Sequence, residues 1–371
     1  MEKKQQTQRL QSLDALLGFD MFFIMGGGTL FVALATLFPN VFFQTIAKQM
    51  EHVPWNGFAF EDMIFPLFLF IAGISFPFSL AKQREKGMTD AAIYKKIVRR
   101  GLTLVLLGIV YNGLLQLDFE HQRYASVLGR IGLAWMFAAL IFVNTGAKTR
   151  IGIIAAILVG YWLLLALVPA PDGGGAGVFT KEGSLVGYVD RMLLPGRLHL
   201  GIHDPEGLLS AVPAIATALL GISTGEFIKS GRYGFSDTRK VLYILSAGII
   251  LLVVGKAWDI VFPINKNLWT SSFVCFVGGL SAILFALFYY VVDVKNYRKW
   301  TLFFRVIGMN SITIYLAQRF INFRYTADSL FGGLTSLVPE NAQPLISSLA
   351  YIAVCWGFLY VLYRQRIFLK V

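Results

Sequence analysis

The sequence predicts an all-α integral membrane protein: a single bundle of about ten transmembrane helices with both termini cytoplasmic. Three observations predict it. The 371 residues are 56% hydrophobic, with mean hydropathy +0.64. Apolar runs of about 20 residues, the length a helix needs to cross the hydrocarbon core, recur along the whole chain. The basic residues between those runs fall mostly on one side when the runs alternate in direction.

The runs are 13–37, 60–80, 101–117, 126–145, 151–170, 207–227, 241–262, 268–291, 301–321 and 344–363. The segments between them are mostly too short to fold alone, so residues 1–371 read as one membrane domain. No internal repeat interrupts it. The net charge of +12 would suit a nucleic-acid partner, but its distribution argues against one. Of 33 basic residues, Lys48, Arg123, Lys181, Arg191, Arg197, Lys266, Arg319 and Arg324 fall outside or at outer helix ends. Arg130, Lys256 and Arg305 lie within spans, and all the others, Lys3, Lys4 and Arg9 among them, fall inside. Topology therefore accounts for the charge.

Taken in order, the spans carry groups that lipid does not tolerate unpartnered. The first is too long for a cleaved leader, holds Asp14 and Asp20, and is interrupted by Gly26-Gly27-Gly28. The second follows a polar stretch, Glu51-His52-Val53-Pro54-Trp55-Asn56-Gly57, and opens on Glu61 and Asp62. The third follows a basic run ending in Arg99-Arg100, and the fourth has Arg130 near its outer end. The fifth is plainly apolar. The sixth is introduced by Asp204-Pro205-Glu206 and ends near Glu226. The seventh holds Lys256 and Asp259, and Lys266 precedes the eighth. The ninth contains Arg305 and Asn310, and the tenth is apolar with Cys355. Cys275 and Cys355 sit in spans and make no disulfide framework. Polar groups thus gather at both ends of the bundle, which predicts a cavity or a path through it.

All four histidines, His52, His121, His199 and His203, fall in outer loops at 38–59, 118–125 and 171–206. The last loop opens on a Gly-rich run that lacks the strand–helix setting of a nucleotide site. His199 and His203 have metal-ligand spacing on a helix, but Gly201 and Pro205 break that helix, so no metal is expected.

Several stretches carry a resemblance. They are Arg9–Asp20, His52–Pro66, Val127–Gly132, Asp204–Ser210 and Phe262–Phe273, with Asn310–Tyr315 as a weaker sixth. Together they resemble the heparan-α-glucosaminide N-acetyltransferase family of membrane acyltransferases, and most of all its bacterial members, some of which are labelled N-acetylglucosamine-related transporters. Leu17 departs from the pattern, which often has arginine there. The resemblance implies transfer of acetyl from cytoplasmic acetyl-CoA to an amino sugar or related glycan at the outer face of a bacterial inner membrane. It also implies a homodimer and places the catalytic histidine at His52.

Residue chemistry fits that expectation. His52 suits a base or an acyl carrier. Asp62 would orient it, or simply cap the second span. Asn56 and the Gly57 amide would donate to an oxyanion. Trp55, Asp204, Glu206, Lys266 and Trp269 are the candidate acceptor contacts; Trp55 also reads as an interfacial anchor, and Asp204 and Glu206 as helix-start residues. Arg99, Arg100, Arg130, Arg305 and Asn310 are the candidates for holding acetyl-CoA, since arginine suits phosphate. A transporter of amino sugars is the alternative reading, because a polar path through a bundle serves either function.

Overall fold

The computed structural model describes residues 10–230 and 234–369. Lys3, Lys4, Arg9, Arg232 and Lys370, part of the charge count above, lie outside them. Among the described residues the chain is helical throughout. An isolated bridge between Arg123 and Gly196 is the single extended pairing among them.

The helices are α1 (Gln11–Phe22), α2 (Gly28–Leu37), α3 (Val41–Gln49), α4 (Glu61–Glu85), α5 (Asp90–Tyr111), α6 (Val127–Asn144) and α7 (Ala147–Leu167). They continue as α8 (Leu185–Leu193), α9 (Ala211–Lys229), α10 (Asp237–Trp258), α11 (Ser271–Phe288), α12 (Leu302–Gly308), α13 (Ser311–Phe320), α14 (Phe323–Ser336) and α15 (Gln343–Arg364). Eight helical units are long and apolar enough to cross a membrane, and α12 with α13 makes a ninth bent by 55°. The chain is a multi-pass membrane protein.

Local chemistry sets the ends. Hydroxyls of Ser126, Ser236 and Thr270 accept N–H groups of the first turns of α6, α10 and α11. α1 passes into α2 through a π turn, Phe23–Gly27, where Gly26 has φ 113°, a backbone state that glycine alone adopts freely. The ten expected spans thus become eight or nine. The third differs most: its helix α5 begins at Asp90 rather than 101, carries Lys95, Lys96, Arg99 and Arg100, and is not among the units long and apolar enough to cross. The expected loop at 38–59 and the connection at 322–343 hold short helices, α3 and α14.

α4 is the axis of the site. Across its middle it packs on α9, where Gly221 and Gly225, one turn apart, lie against the backbone of Phe70 and Ile74. A Cβ at either would strike α4 main chain, so two small residues set the closest approach. Elsewhere α4 is covered by Leu13, Leu16 and Phe285 on one side and by Trp135, Ala134 and Ala138 on another, all buried.

Candidate active site

At one end of the bundle the chain turns sharply before α4. Gly57 holds φ 116° and its N–H donates to the Ile264 carbonyl at 2.8 Å. That turn directs the Ala59 and Val53 N–H groups to Asp62 Oδ2, at 3.1 and 3.4 Å. Asp62 is therefore a cap, as the helix-start reading has it. Its other oxygen, Oδ1, meets His52 Nδ1 at 2.9 Å. The carboxylate is buried while the imidazole is about half exposed, so His52 presents its far edge to a ligand.

Lys266 completes the cluster from the loop between α10 and α11. Its Nζ lies 3.1 and 3.2 Å from the two His52 ring nitrogens and 3.4 Å from Asp62 Oδ1. Burial draws Lys266 below the ordinary lysine range, against the pull of Asp62, Glu206 and Glu61. The loop is rigidly made. Ile264 N–H donates to Asp259 Oδ1 at 2.7 Å, Thr270 Oγ1 donates to the Pro263 carbonyl at 2.8 Å, and Tyr161 O–H donates to the Leu268 carbonyl at 2.6 Å. Asn265 Nδ2 donates to Asn56 Oδ1 at 2.9 Å, which ties this loop to the His52 turn.

A second layer lies beside this cluster. Arg123 donates from Nε and Nη2 to the two oxygens of Asp204, at 2.8 and 2.6 Å, and also to Glu206. Burial opposes the charge of Asp204, but its hydrogen bonds from Arg123 outweigh that and hold it below the ordinary carboxylate range. Arg130 donates to the Gly207 carbonyl at 3.3 Å and to Ser210, and its guanidinium lies 4.8 Å from the Trp269 ring centroid.

The opposite end holds a cavity of about 680 Å³ lined by Asp14, Ser75, Ser79, Lys82, Arg100, Trp135 and Ser311 among others. A cavity of about 460 Å³ adjoins it, sharing Ser79, Arg100 and Trp135 and adding Gln83, Lys96 and Arg99. Arg100 stacks over Trp135 at 4.3 Å, and its buried Nε has no protein partner. Towards the His52 end the larger cavity narrows to a space of about 30 Å³ bounded by Met21, Phe65, Phe68, Ile131 and Tyr315. Phe65, Phe68, Ala72, Ser75, Ser79 and Lys82 all line this series from one side of α4, and Asp62 stands one turn beyond Phe65.

The structure thus brings His52, Asp62, Asn56 and Lys266 together, with Glu206 near, and brings Arg99 and Arg100 to the cavity. It places others elsewhere. Trp269 is fully buried, packed on Phe65 and Phe273. Asp204 is fully buried and spent on Arg123. Trp55 donates to the Phe179 carbonyl at 2.7 Å and so anchors its loop. Arg130 belongs to the Gly207–Ser210 layer, and neither it nor Arg305 lines the cavities. Asn310 is buried at the α12–α13 bend, beside the cavity-lining Ser311. The Gly57 amide is taken by Ile264, leaving the Asn56 amide as the donor of that turn. Sequence reasoning missed Lys82, Ser75, Ser79 and Trp135. The spacing of Ser75, Ser79 and Lys82 by four and three along α4 was visible, but the weak polarity of serine in an apolar run gives little signal.

These features define a class: multi-pass membrane proteins that carry a histidine–carboxylate–lysine cluster at one end of the bundle and a basic cavity at the other. Within it, the chain belongs to the heparan-alpha-glucosaminide N-acetyltransferase family, whose catalytic-region model matches residues 9–241. It is 27% identical over 377 residues to the Homo sapiens protein named heparan-alpha-glucosaminide N-acetyltransferase and 28% over 379 residues to the Mus musculus one. Each match covers 86% of this chain and 56% of the relative, so the chain spans about half the length of the curated relatives it matches.

Proposed function

We propose that this protein moves an acetyl group from cytoplasmic acetyl-CoA to an amino sugar or related glycan at the outer face of a bacterial inner membrane. One observation carries the reading. A single side of α4 runs from Lys82, at a basic cavity, to Asp62, at the His52 cluster. At about 1.5 Å per residue those positions stand roughly 30 Å apart, the thickness of a bilayer core.

The residues divide the work. Arg99, Arg100, Lys82 and Lys96 supply charge for the phosphates of the acyl donor. The 680 Å³ cavity takes its thin, mostly uncharged arm. At the far end, His52 donates Nδ1–H to Asp62, which leaves Nε2 to accept the proton of the attacking amine. The new C–N bond forms as the C–S bond breaks, and the departing thiolate takes up a proton to become the thiol. The same Nε2 serves if acetyl passes first to the histidine. Lys266 supplies positive charge where the tetrahedral oxyanion develops, and the Asn56 amide is a second donor there.

The narrow space below Phe65 favours acyl relay over passage of a whole sugar. Its volume of about 30 Å³ is too small to pass a pyranose ring. Membranes given labelled acetyl-CoA and a glucosamine acceptor test the reading. Wild type labels the acceptor; His52→Ala labels it at least a hundredfold more slowly. Equal rates would remove the histidine's role, and uptake of sugar without acetyl-CoA turnover would favour transport.

A further inference from the structure

Behind the His52 turn lie two fully buried titratable groups that the mechanism does not use. Asp190 comes from α8 and His203 from the loop before α9, and both side chains are completely covered. Asp190 Oδ1 accepts the Leu208 N–H at 3.0 Å. His203 Nε2 lies 3.2 Å from the Asn267 carbonyl, which has no proton to give, so Nε2 carries the proton and donates it. That makes Nδ1 of a neutral ring an acceptor. Asp190 Oδ2 and His203 Nδ1 are both buried without a partner, and they face each other at 4.0 Å. At 4.0 Å they stand about 1 Å beyond a hydrogen bond, and one proton on the carboxyl, with that small approach, would satisfy both.

The other charged groups that face the couple have partners elsewhere. Arg130 of α6 donates from Nη2 to the Gly207 carbonyl and Ser210, while its Nε and Nη1 have no hydrogen-bond partner. Asp204 and Glu206 are paired with Arg123. Tyr161 of α7 gives its proton to the Leu268 carbonyl. Arg130 favours an ionised Asp190, but burial outweighs its pull.

The couple touches both loops of the candidate active site. The His203 ring packs edge-on against Trp55 at 5.4 Å, three residues after His52. Its Nε2 bond goes to Asn267, the residue after Lys266. Gly207 lies against the Asp190 carboxyl so closely that a Cβ there would overlap it, so the carboxyl has no room to turn away.

We propose that Asp190 and His203 share one proton, a carboxyl O–H donated to imidazole Nδ1, and that this uncharged couple positions the Trp55 and Asn267 loops on which His52 and Lys266 stand. Both are positioning residues. Burial pushes Asp190 up to about 7 and His203 down to about 4, in keeping with a neutral pair at mildly acidic pH. The effect on transfer rests on the acetyltransferase reading; the shared proton does not.

The sharing has a signature in stability. Between about pH 4 and 6.5 an unfolded chain carries this proton on the histidine, while the folded chain carries it on the carboxyl. The number bound is the same, so wild-type stability gains no slope from the couple. Asp190→Asn keeps a donor to Nδ1 but removes the carboxyl. Its folding equilibrium then gains about tenfold per pH unit over that window, relative to wild type. His203→Gln leaves the carboxyl alone, and its folding equilibrium loses about tenfold per unit as pH rises towards 7. Unfolding of the purified protein in detergent, followed by dye labelling of the buried Cys275 and Cys355, reads both slopes. Opposite slopes support the couple; two variants that track wild type overturn it. Should the variants not fold, difference infrared spectra of the wild type decide. A carboxyl C=O band that bleaches as pH rises through 7 supports a protonated Asp190, and no such band overturns it. In the transfer assay, Asp190→Asn retains activity, whereas Asp190→Ala loses it. A wild type that transfers nothing defeats the acetyltransferase reading and leaves the stability slopes to judge the proton.

Discussion

His52 and Asp62, ten residues apart in the chain, meet at 2.9 Å between Nδ1 and Oδ1. The contact exists because the Gly57 turn folds the chain back onto the start of α4, where Asp62 also takes the Ala59 and Val53 amides. One carboxylate thus builds the turn and fixes the histidine tautomer. Asp62→Asn keeps the shape but removes the charge and favours the wrong tautomer. Its kcat is expected to fall by roughly a thousandfold or more with little change in KM for acetyl-CoA. Steady-state kinetics on reconstituted protein check this.

Lys266 gives a pH dependence with a definite sign. Burial lowers its pKa, so its positive charge is lost at a lower pH than that of an ordinary lysine. Transfer should therefore decline on the alkaline side as that charge is lost. Lys266→Arg keeps the charge there and moves the decline to higher pH, while Lys266→Met slows transfer by roughly a hundredfold at neutral pH. A pH–rate profile of the three proteins is the measurement.

The cavity predicts a steric block. Ser75 lies midway along the lining side of α4. Ser75→Trp should reduce kcat/KM for acetyl-CoA at least tenfold, about 1.4 kcal/mol, while leaving His52 chemistry intact. A short acyl thioester lacking the nucleotide should be hindered less, which comparison of the two donors reveals.

The basic mouth predicts a salt effect. Arg99→Ala with Arg100→Ala should raise the Kd for CoA roughly tenfold or more, and the remaining affinity should fall less steeply with ionic strength than wild type's. Calorimetry at two salt concentrations checks it.

The α4–α9 seam predicts a packing effect. Gly221→Val places branched carbon against the Phe70 backbone, and an overpacked seam of this kind costs about 1–3 kcal/mol. Thermal unfolding in detergent should show a lower midpoint than wild type.

Much of this was legible in the sequence, for reasons that differ by feature. The spans announced themselves because a lipid-crossing helix must be apolar for its whole length. Of their breaks, only the Gly26-Gly27-Gly28 interruption did. The π turn at Phe23–Gly27 and the bend before Ser311 depend on what packs alongside. The His52–Asp62 pair was readable because it is local. Lys266 was only a candidate, since its approach depends on the Asn265–Asn56 and Gly57–Ile264 bonds between loops about 200 residues apart. Trp269 read as a possible sugar contact because aromatic residues serve equally well in cores and at sites. Its burial is a matter of tertiary packing. The Asp190–His203 couple left no trace, because nothing in a flexible-looking loop shows that two of its residues will be sealed together.

The central claim is that an acyl donor on one side of the membrane feeds an acceptor on the other, along α4. Sealed proteoliposomes loaded with labelled acetyl-CoA inside, with a glucosamine acceptor outside only, test it most directly. Labelled acetyl should appear on the external acceptor for the protein population whose Lys82 end faces the lumen, and Ser75→Trp should suppress it. Labelling only when donor and acceptor share one compartment would contradict the account.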